Sequence, residues 1–571
     1  GTGTPTACIP AGSVLGATWD PSLVERLGAL LGDECVAKGA HVLLAPTINL
    51  HRNPLGGRNF ECYSEDPFLT GQIAVGFVRG VQSRNVATTA KHFVANDSEF
   101  ERNSIDTQID ERTLREVYLA PFEQVVKQAG AWGVMSSYNR LNGTFASEHE
   151  WLLTTVLRED WGFDGFVVSD WYAARSTAAS VRAGLSLEMP GEGRFYGAER
   201  IGAAIDAGEM DEFHLDAIVR DVLVALERTG AFDGAGGGEE KTLDRPEDRI
   251  LIREAAAAGT VLVANDGTLP LDVGALSSLA VVGPNARVAK VMGGGSATVR
   301  SYHTVSPLEA LRDRIGDKVA LHYAQGCDID RSTPPLDEPL LIEPLVMEIF
   351  DNMDLYGEPV ATTPAESGRI LFCGEPAEGV HPTQFSWRAT GAIEPAVTGV
   401  HAVRLVQSGR ARVLIDGEVV LDATEGDFER GDEFFGFASV EIGAEVELTA
   451  GKRTEITIEY SSRDAVLLSG VRVGVVSLVE TDLLGDAEQI AAGCDAALVV
   501  VGTNDDWETE GRDRDQFELP GDQVALIRRV AAVNPRTVVV VNTGGPHSFD
   551  WLDAPAAVLH VGFGGQELGD A

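Results

Sequence analysis

From Ser13 to about Gly230 the chain repeats one pattern: a short apolar run, a polar stop, then an amphipathic helical stretch. Strand-like runs fall at 13–19, 41–49, 86–93, 131–138, 165–171 and 184–189. Helical stretches at 21–38, 68–84, 113–129 and 149–161 separate them, and 211–229 closes the region with apolar residues at i, i+3 and i+4. Regular βα alternation restricts the fold to a parallel sheet covered by helices, because parallel neighbours need a long crossover. Its length suits a (β/α)8-type barrel with part of its start missing. The clearest strand, Gly165-Phe166-Val167-Val168-Ser169, ends on Asp170 and Trp171. A carboxylate at that end of a parallel strand lies where barrel enzymes keep their catalytic groups. Alone, an Asp there is more often a helix N-cap, so its neighbours have to decide.

A second α/β pattern starts near Arg245, with a strand at 278–283 and a Gly-rich loop at 293–296. It resumes near Leu483 with strands at 496–502, 536–542 and 556–561 and a helix at 521–533. The stretch between is rich in β-branched and aromatic residues and in turn signals. Val413-Leu414-Ile415-Asp416-Gly417-Glu418-Val419-Val420 predicts a tight type I′ hairpin, since Asp-Gly accepts two positive φ angles. The predicted organisation is α/β: a barrel over 1–230, a Gly/Glu-rich linker over 231–244, an α/β sandwich domain over 245–338 and 481–571, and an all-β sandwich inserted at 339–480. At 571 residues the chain is too long for one core and suits about three or four domains.

The net charge of −42, from 87 acidic against 45 basic residues, argues against nucleic acid or an anionic membrane as partner. A neutral ligand is compatible with it, and a homo-oligomeric state is left open. No apolar run approaches the roughly 18 residues of a membrane span. The six cysteines are scattered without a CxxC pair, and the 11 histidines form no HExxH, so no metal is expected. Neither Val281–Asn285 nor Gly293–Gly295 gives GxGxxG with an acidic residue about 20 positions on, so no dinucleotide cofactor is expected. Gly1-Thr2-Gly3 has no initiator Met and the last residues stop where a helix is due, so both ends read as cut and the compartment stays unknown.

Polar residues cluster at successive barrel strand ends: Arg58 in Gly56-Gly57-Arg58-Asn59-Phe60 after the second, Lys91-His92-Phe93 at the third, Met135-Ser136-Ser137-Tyr138-Asn139 at the fourth, and Asp170-Trp171. Cations that donate to hydroxyls and keep a carboxylate ionised suit a polyol ligand. A solvated strand end (Lys91), a core histidine (His92) or a surface ion pair (Arg58) is the plainer reading of each alone. All of them together at one rim is harder to explain that way. A second acidic run, Asp505-Asp506-Trp507-Glu508-Thr509-Glu510-Gly511, comes after the strand at 496–502. Glycoside hydrolysis needs two facing carboxyls, and one from each domain would supply them.

These motifs, with Thr113-Leu114-Arg115-Glu116 and Gly293-Gly294-Gly295-Ser296-Ala297, resemble glycoside hydrolase family 3 β-glucosidases of the subgroup carrying a protective-antigen-like β-sandwich insert. The resemblance covers essentially the whole chain. It implies a retaining exo-β-glucosidase with Asp170 as nucleophile and Glu510 as acid/base, Glu508 being the competing acid. It further implies that Arg58, Lys91 and His92 bind sugar hydroxyls, with Tyr138 near the nucleophile, Trp171 walling the site and Met135 also among the substrate-binding residues. The general acid should then have a raised pKa and the nucleophile a low one. Retention implies carboxyl groups about 5–5.5 Å apart. The family's first barrel strand, with an Asp that grips the sugar, precedes this sequence. Val94-Ala95-Asn96-Asp97 after the Lys-His-Phe motif favours glucosidases over N-acetylglucosaminidases. Expected substrates are small β-glucosides, short oligosaccharides and glucosylated natural products such as macrolides. β-Xylosidase or β-galactosidase activity, or sugar binding on a degenerate scaffold, are the alternatives. Asp432–Phe437 could supply an aromatic wall or simply fill the insert's core.

Overall fold

The computed structural model describes residues 4–191, 193–234, 239–337, 339–466 and 468–571. The core of the expected linker, 235–238, lies outside them. Two compact units are present: 1–329 together with 483–571, and 330–482.

In the first unit, four parallel strands lie in the order Val42–Leu43, Ala87–Phe93, Gly133–Ser136 and Phe166–Ser169. A single parallel bridge, Val168 to Leu187, extends this arc where a full strand over 184–189 was expected. Among the described residues the sheet is open and does not close into a barrel. Helices Pro21–Ala37 and Pro67–Gln82 cover it, each with proline in its first turn. Asp20 accepts from the amides of Ser22 and Leu23, and Asp66 from Leu69, which satisfies the amides a helix start leaves open. Val24, Leu27, Ile73, Phe77 and Val78 from these helices meet Ala90, Phe93, Val134 and Val167 of the strands in one buried cluster. Residues 13–19, read as strand, instead form most of the helix Gly12–Ala17, with Val14 and Leu15 buried. A run that short has no periodicity able to separate a buried strand from a buried helix turn.

The same unit holds a six-stranded sheet in the order Ala320–Ala324, Ser278–Val282, Ala496–Gly502, Thr537–Asn542, Ala557–His560 and Val261–Asn265. All neighbours are parallel except the last pair. The strand Ala496–Gly502 is almost wholly buried, as a central parallel strand with helices on both faces must be. Open sheets of this kind bind ligands beyond the carboxyl ends of their strands, and the loop carrying Glu508 and Glu510 leaves from such an end.

The unit 330–482 consists of a six-stranded and a four-stranded antiparallel sheet. Inward residues of both, among them Trp387, Tyr460, Val403, Leu405 and Val473, share one buried cluster, with Trp387 and Tyr460 stacked at 5.1 Å. Phe434 packs against Val406, Ala438 and Leu468 with Phe437 beside it, so both serve this unit's own core. The Phe435 side chain lies outside the described set.

Strands Arg410–Ile415 and Glu418–Ala423 form the expected hairpin, with Asp416 at φ +49° and Gly417 at φ +81°. An added Cβ at Gly417 would meet nothing within 4 Å, so only its backbone conformation demands glycine. Gly417→Ala should therefore lower the stability of this unit by about 1 kcal/mol without touching a contact, measured as an earlier unfolding midpoint.

Candidate active site

The carboxyl ends of the two parallel sheets supply side chains to one buried cluster. Its centre is Arg58, only 7% exposed. Arg58 Nε and Nη2 donate to the two carboxylate oxygens of Glu61 at 2.7 and 2.9 Å, and Thr47 Oγ1 donates to Glu61 Oε2 at 3.0 Å. This fork fixes the guanidinium plane and leaves Nη1 facing inward. Nη1 lies 3.3 Å from His92 Nε2 and 3.5 Å from Glu510 Oε1.

Asn49 Oδ1 sits 3.1 Å from His92 Nδ1 and also accepts the His92 amide, while Asn49 Nδ2 donates to the His92 carbonyl. With an acceptor at Nδ1 and a donor at Nε2, the ring is a neutral Nδ1–H tautomer. Burial, followed by Arg58 and Lys91, pushes its pKa well below the ordinary histidine value, so it stays neutral. The 3.5 Å approach of His92 Nε2 to Asp170 Oδ2 is thus not an ion pair.

Asp170 comes directly after the strand Phe166–Ser169, its amide donating to the Ser136 carbonyl at 3.1 Å. Its Oδ1 accepts from the Trp171 amide at 2.8 Å, and Oδ2 has no hydrogen-bond partner among the described residues. A buried carboxylate oxygen facing a lone pair is poorly solvated. Burial accordingly raises the Asp170 carboxyl above its ordinary range, with Glu510 adding to the shift and Arg58 and Lys91 opposing it. Tyr138 is buried, and burial together with the Asp170 charge raises its phenol. Met135 is 2% exposed and packs with Ala87, Phe166 and Val168, and Trp171 lies half-buried against that cluster. Lys91, on the same strand as His92, has its ammonium lowered by burial and by Arg58, with Glu61 and Asp170 opposing.

Glu510 is held by groups that sequence reasoning missed. Arg102 Nη1 donates to Glu510 Oε1 at 2.8 Å, and the Ser296 amide to Oε2 at 2.9 Å. The Arg102 guanidinium stacks 4.7 Å over the Tyr138 ring. Burial would raise the Glu510 carboxyl, but Arg58, Arg102 and the Ser296 contacts outweigh it and hold the group well below the usual carboxylate range. The order expected from the roles is therefore inverted, with Asp170 raised and Glu510 depressed.

Glu508, two residues away, points into the interior. Thr503 Oγ1 donates to its Oε1 at 2.5 Å and the Gly544 amide at 2.9 Å, and the side chain is fully buried. Its backbone carbonyl accepts from Gly294. Trp507 donates its indole N–H to the Ile329 carbonyl.

The loop carrying Glu510 is fastened to the Arg58 rim. Asp513 accepts from the amides of Gly57 (3.0 Å), Glu99 (2.9 Å) and Phe100 (3.1 Å), and the Arg514 amide donates to the Leu55 carbonyl at 2.7 Å. Among the described residues no group of three or more His, Cys, Asp or Glu could hold a metal, and no helix is long and apolar enough to cross a membrane. The six cysteines are unpaired.

This cluster of buried carboxylates, guanidinia and a neutral histidine at the carboxyl ends of two parallel sheets can be set beside known proteins. Residues 2–225 match the glycosyl hydrolase family 3 N-terminal domain and residues 260–571 its C-terminal domain. The chain belongs to glycosyl hydrolase family 3. It is 45% identical to a β-glucosidase of Rhizobium radiobacter over 573 residues, covering all of this chain and 69% of that protein. It is 38% identical to a probable β-glucosidase J of Emericella nidulans, covering 68% of it. The solved β-glucosidase of Kluyveromyces marxianus in complex with glucose superposes with a TM-score of 0.94 at 32% identity, covering all of this chain and 70% of that one.

A side chain at Gly57 would overlap the backbone carbonyls of Arg512 and Thr509. Gly57→Ala should push the loop away and displace Glu510. The expected result is a folded protein whose turnover falls by about a hundredfold, the penalty of an ångström-scale misplacement, measured by steady-state kinetics beside a thermal melt.

Proposed function

We propose that this chain is a retaining, exo-acting β-glucosidase that removes terminal β-D-glucose from short oligosaccharides or small-molecule glucosides, Asp170 being the nucleophile and Glu510 the acid/base. The observation that carries this reading is the meeting of two buried carboxyls around Arg58, one from each parallel sheet. The likeness to β-glucosidases over the whole chain supports the sugar. The open arc of strands is a (β/α)8-type barrel wall, and the unit 330–482 is a protective-antigen-like sandwich.

The Asp170 carboxylate attacks the anomeric carbon while Glu510 gives its proton to the departing glycosidic oxygen. A water that Glu510 deprotonates then cleaves the glycosyl ester and frees Asp170. Arg58, Lys91 and His92 bind sugar hydroxyls. Trp171 walls the site and Met135 lies beneath it. The inverted acidities of Asp170 and Glu510 fit this cycle if sugar reverses them. Hydroxyls that accept from Arg58 draw it off Glu510, whose proton is then retained. A hydroxyl that donates to Asp170 Oδ2 supplies the partner it lacks and favours its anion.

Three measurements test the reading. Asp170→Ala should abolish release of nitrophenol from the aryl β-glucoside. Glu510→Ala should slow cellobiose far more than an activated aryl glucoside, and azide should restore turnover of the latter. A Glu510→Ala enzyme that still hydrolyses cellobiose at the parent rate would reassign the acid. In the parent enzyme the alkaline limb of kcat, which reports the occupied site, should mark the loss of the Glu510 proton, and it should be absent from the Glu510→Ala profile on the activated aryl glucoside.

A further inference from the structure

Glu99 lies in the loop after the strand Ala87–Phe93, is 5% exposed, and shares its guanidinium partner with Glu510. Arg102 Nη1 donates to Glu99 Oε2 and to Glu510 Oε1, both at 2.8 Å. Glu99 Oε2 also accepts the amide of Gly511, the residue after Glu510, at 2.8 Å. The Glu99 and Phe100 amides are in turn held by Asp513 from the same loop. One carboxylate thus fixes the chain next to Glu510, orients its cation, and places a negative charge beside it.

We propose that Glu99 is a positioning residue for Glu510: by holding Arg102 and Gly511 it sets both the place of that carboxyl and how strongly it keeps its proton. This rests on the reading of Glu510 as the acid/base. The groups facing Glu510 are Arg58 and Glu61 from the first rim, Lys91, the neutral His92 and Asp170 from the strand ends, Tyr138, Arg102 and Glu99, and the Ser296 amide of the Gly-rich loop. Three are cations that favour the Glu510 anion. Glu99 opposes them twice, by its own charge and by engaging Arg102. Burial raises the Glu99 carboxyl and Glu510 adds to the effect, as for two like charges that compete for one cation.

The test is the pH profile of Glu99→Gln in the full chain, on cellobiose and on 4-nitrophenyl β-glucoside, after a thermal melt has established folding. Gln keeps the shape and removes the charge. Arg102 then acts on Glu510 alone, so the acid loses its proton earlier. The alkaline limb of kcat on cellobiose, which reports the occupied site where Glu510 is the acid, should move down by about one pH unit, the effect of one neighbouring carboxylate, while the activated glucoside is slowed far less. An unmoved limb, or equal losses on both substrates, overturns the proposal. If Glu99→Gln does not fold, Glu99→Asp carries the test. It keeps the charge but shortens the reach to Gly511. The limb should stay in place while cellobiose turnover falls by about tenfold relative to the aryl glucoside. Equal losses on both substrates again overturn it. Glu510→Ala assayed alongside separates the two readings: if that variant hydrolyses cellobiose normally, the acid assignment has failed, whatever Glu99 does.

Discussion

The Arg58 guanidinium is the contact on which the site depends. Two of its nitrogens are spent on Glu61, and that fork turns the third toward His92 and Glu510. A buried guanidinium is tolerated only when its donors are satisfied, and here Glu61 does so at 2.7 and 2.9 Å. Because Arg58 donates to His92 Nε2, the histidine cannot be protonated there. Because the histidine is neutral, it gives Asp170 Oδ2 no ion-pair partner, and the Asp170 carboxyl is left beside the Tyr138 phenol. One salt bridge three residues long thus reaches, through a ring, to the carboxyl at the end of another strand.

The surrounding charges have their own logic. Three cations, Arg58, Lys91 and Arg102, face four carboxyls, Glu61, Glu99, Asp170 and Glu510, and the histidine contributes none. Burial penalises the surplus negative charge, so the cluster favours retaining one proton. The shifts agree in direction: Asp170 and Glu99 are raised, and Glu61 and Glu510 are lowered. One retained proton among the carboxyls is what a double displacement consumes at its first step and regains at its second. Which carboxyl holds it depends on where the arginines point.

The strand-end residues were legible in the sequence because they are local. Parallel strands deliver the residues after them to one rim, so Arg58, Lys91, His92, Tyr138 and Asp170 could be grouped without knowing the fold in detail. Residues 278–283 and 496–502 were legible for the same reason, as apolar runs of strand length. Residues 13–19 were not, since a helix of one to two turns with three successive buried residues, Val14, Leu15 and Gly16, carries no period of its own. Arg102, Glu99 and Asp513 were missed because each meets its partner across 400 residues or more of chain. No spacing rule links them. Only the Glu and Arg three residues apart after Lys91-His92-Phe93 gave a signal, and three apart is common on any exposed turn.

Glu508 and Glu510 show why residue type and spacing were not enough to choose between two carboxyls. Successive residues of an extended segment point to opposite sides, so two apart should point to the same side. These two do not, because the segment is not extended: Glu508 lies in a bend, and Glu510 and Gly511, the latter at φ +92°, are the central residues of a turn closed by the isolated bridge between Thr509 and Arg512. Thr503, Gly544 and Gly294 draw Glu508 inward, and Ser296 and Arg102 draw Glu510 toward the Arg58 rim. The glycines of the 293–295 loop let that backbone come this close; a side chain at Gly294 would press on Thr509 and one at Gly295 on Glu510. The inward carboxylate therefore anchors the loop from which the outward one reaches the site. Removing Glu508 should disturb Glu510 through the backbone, whereas removing Glu510 leaves the anchor intact.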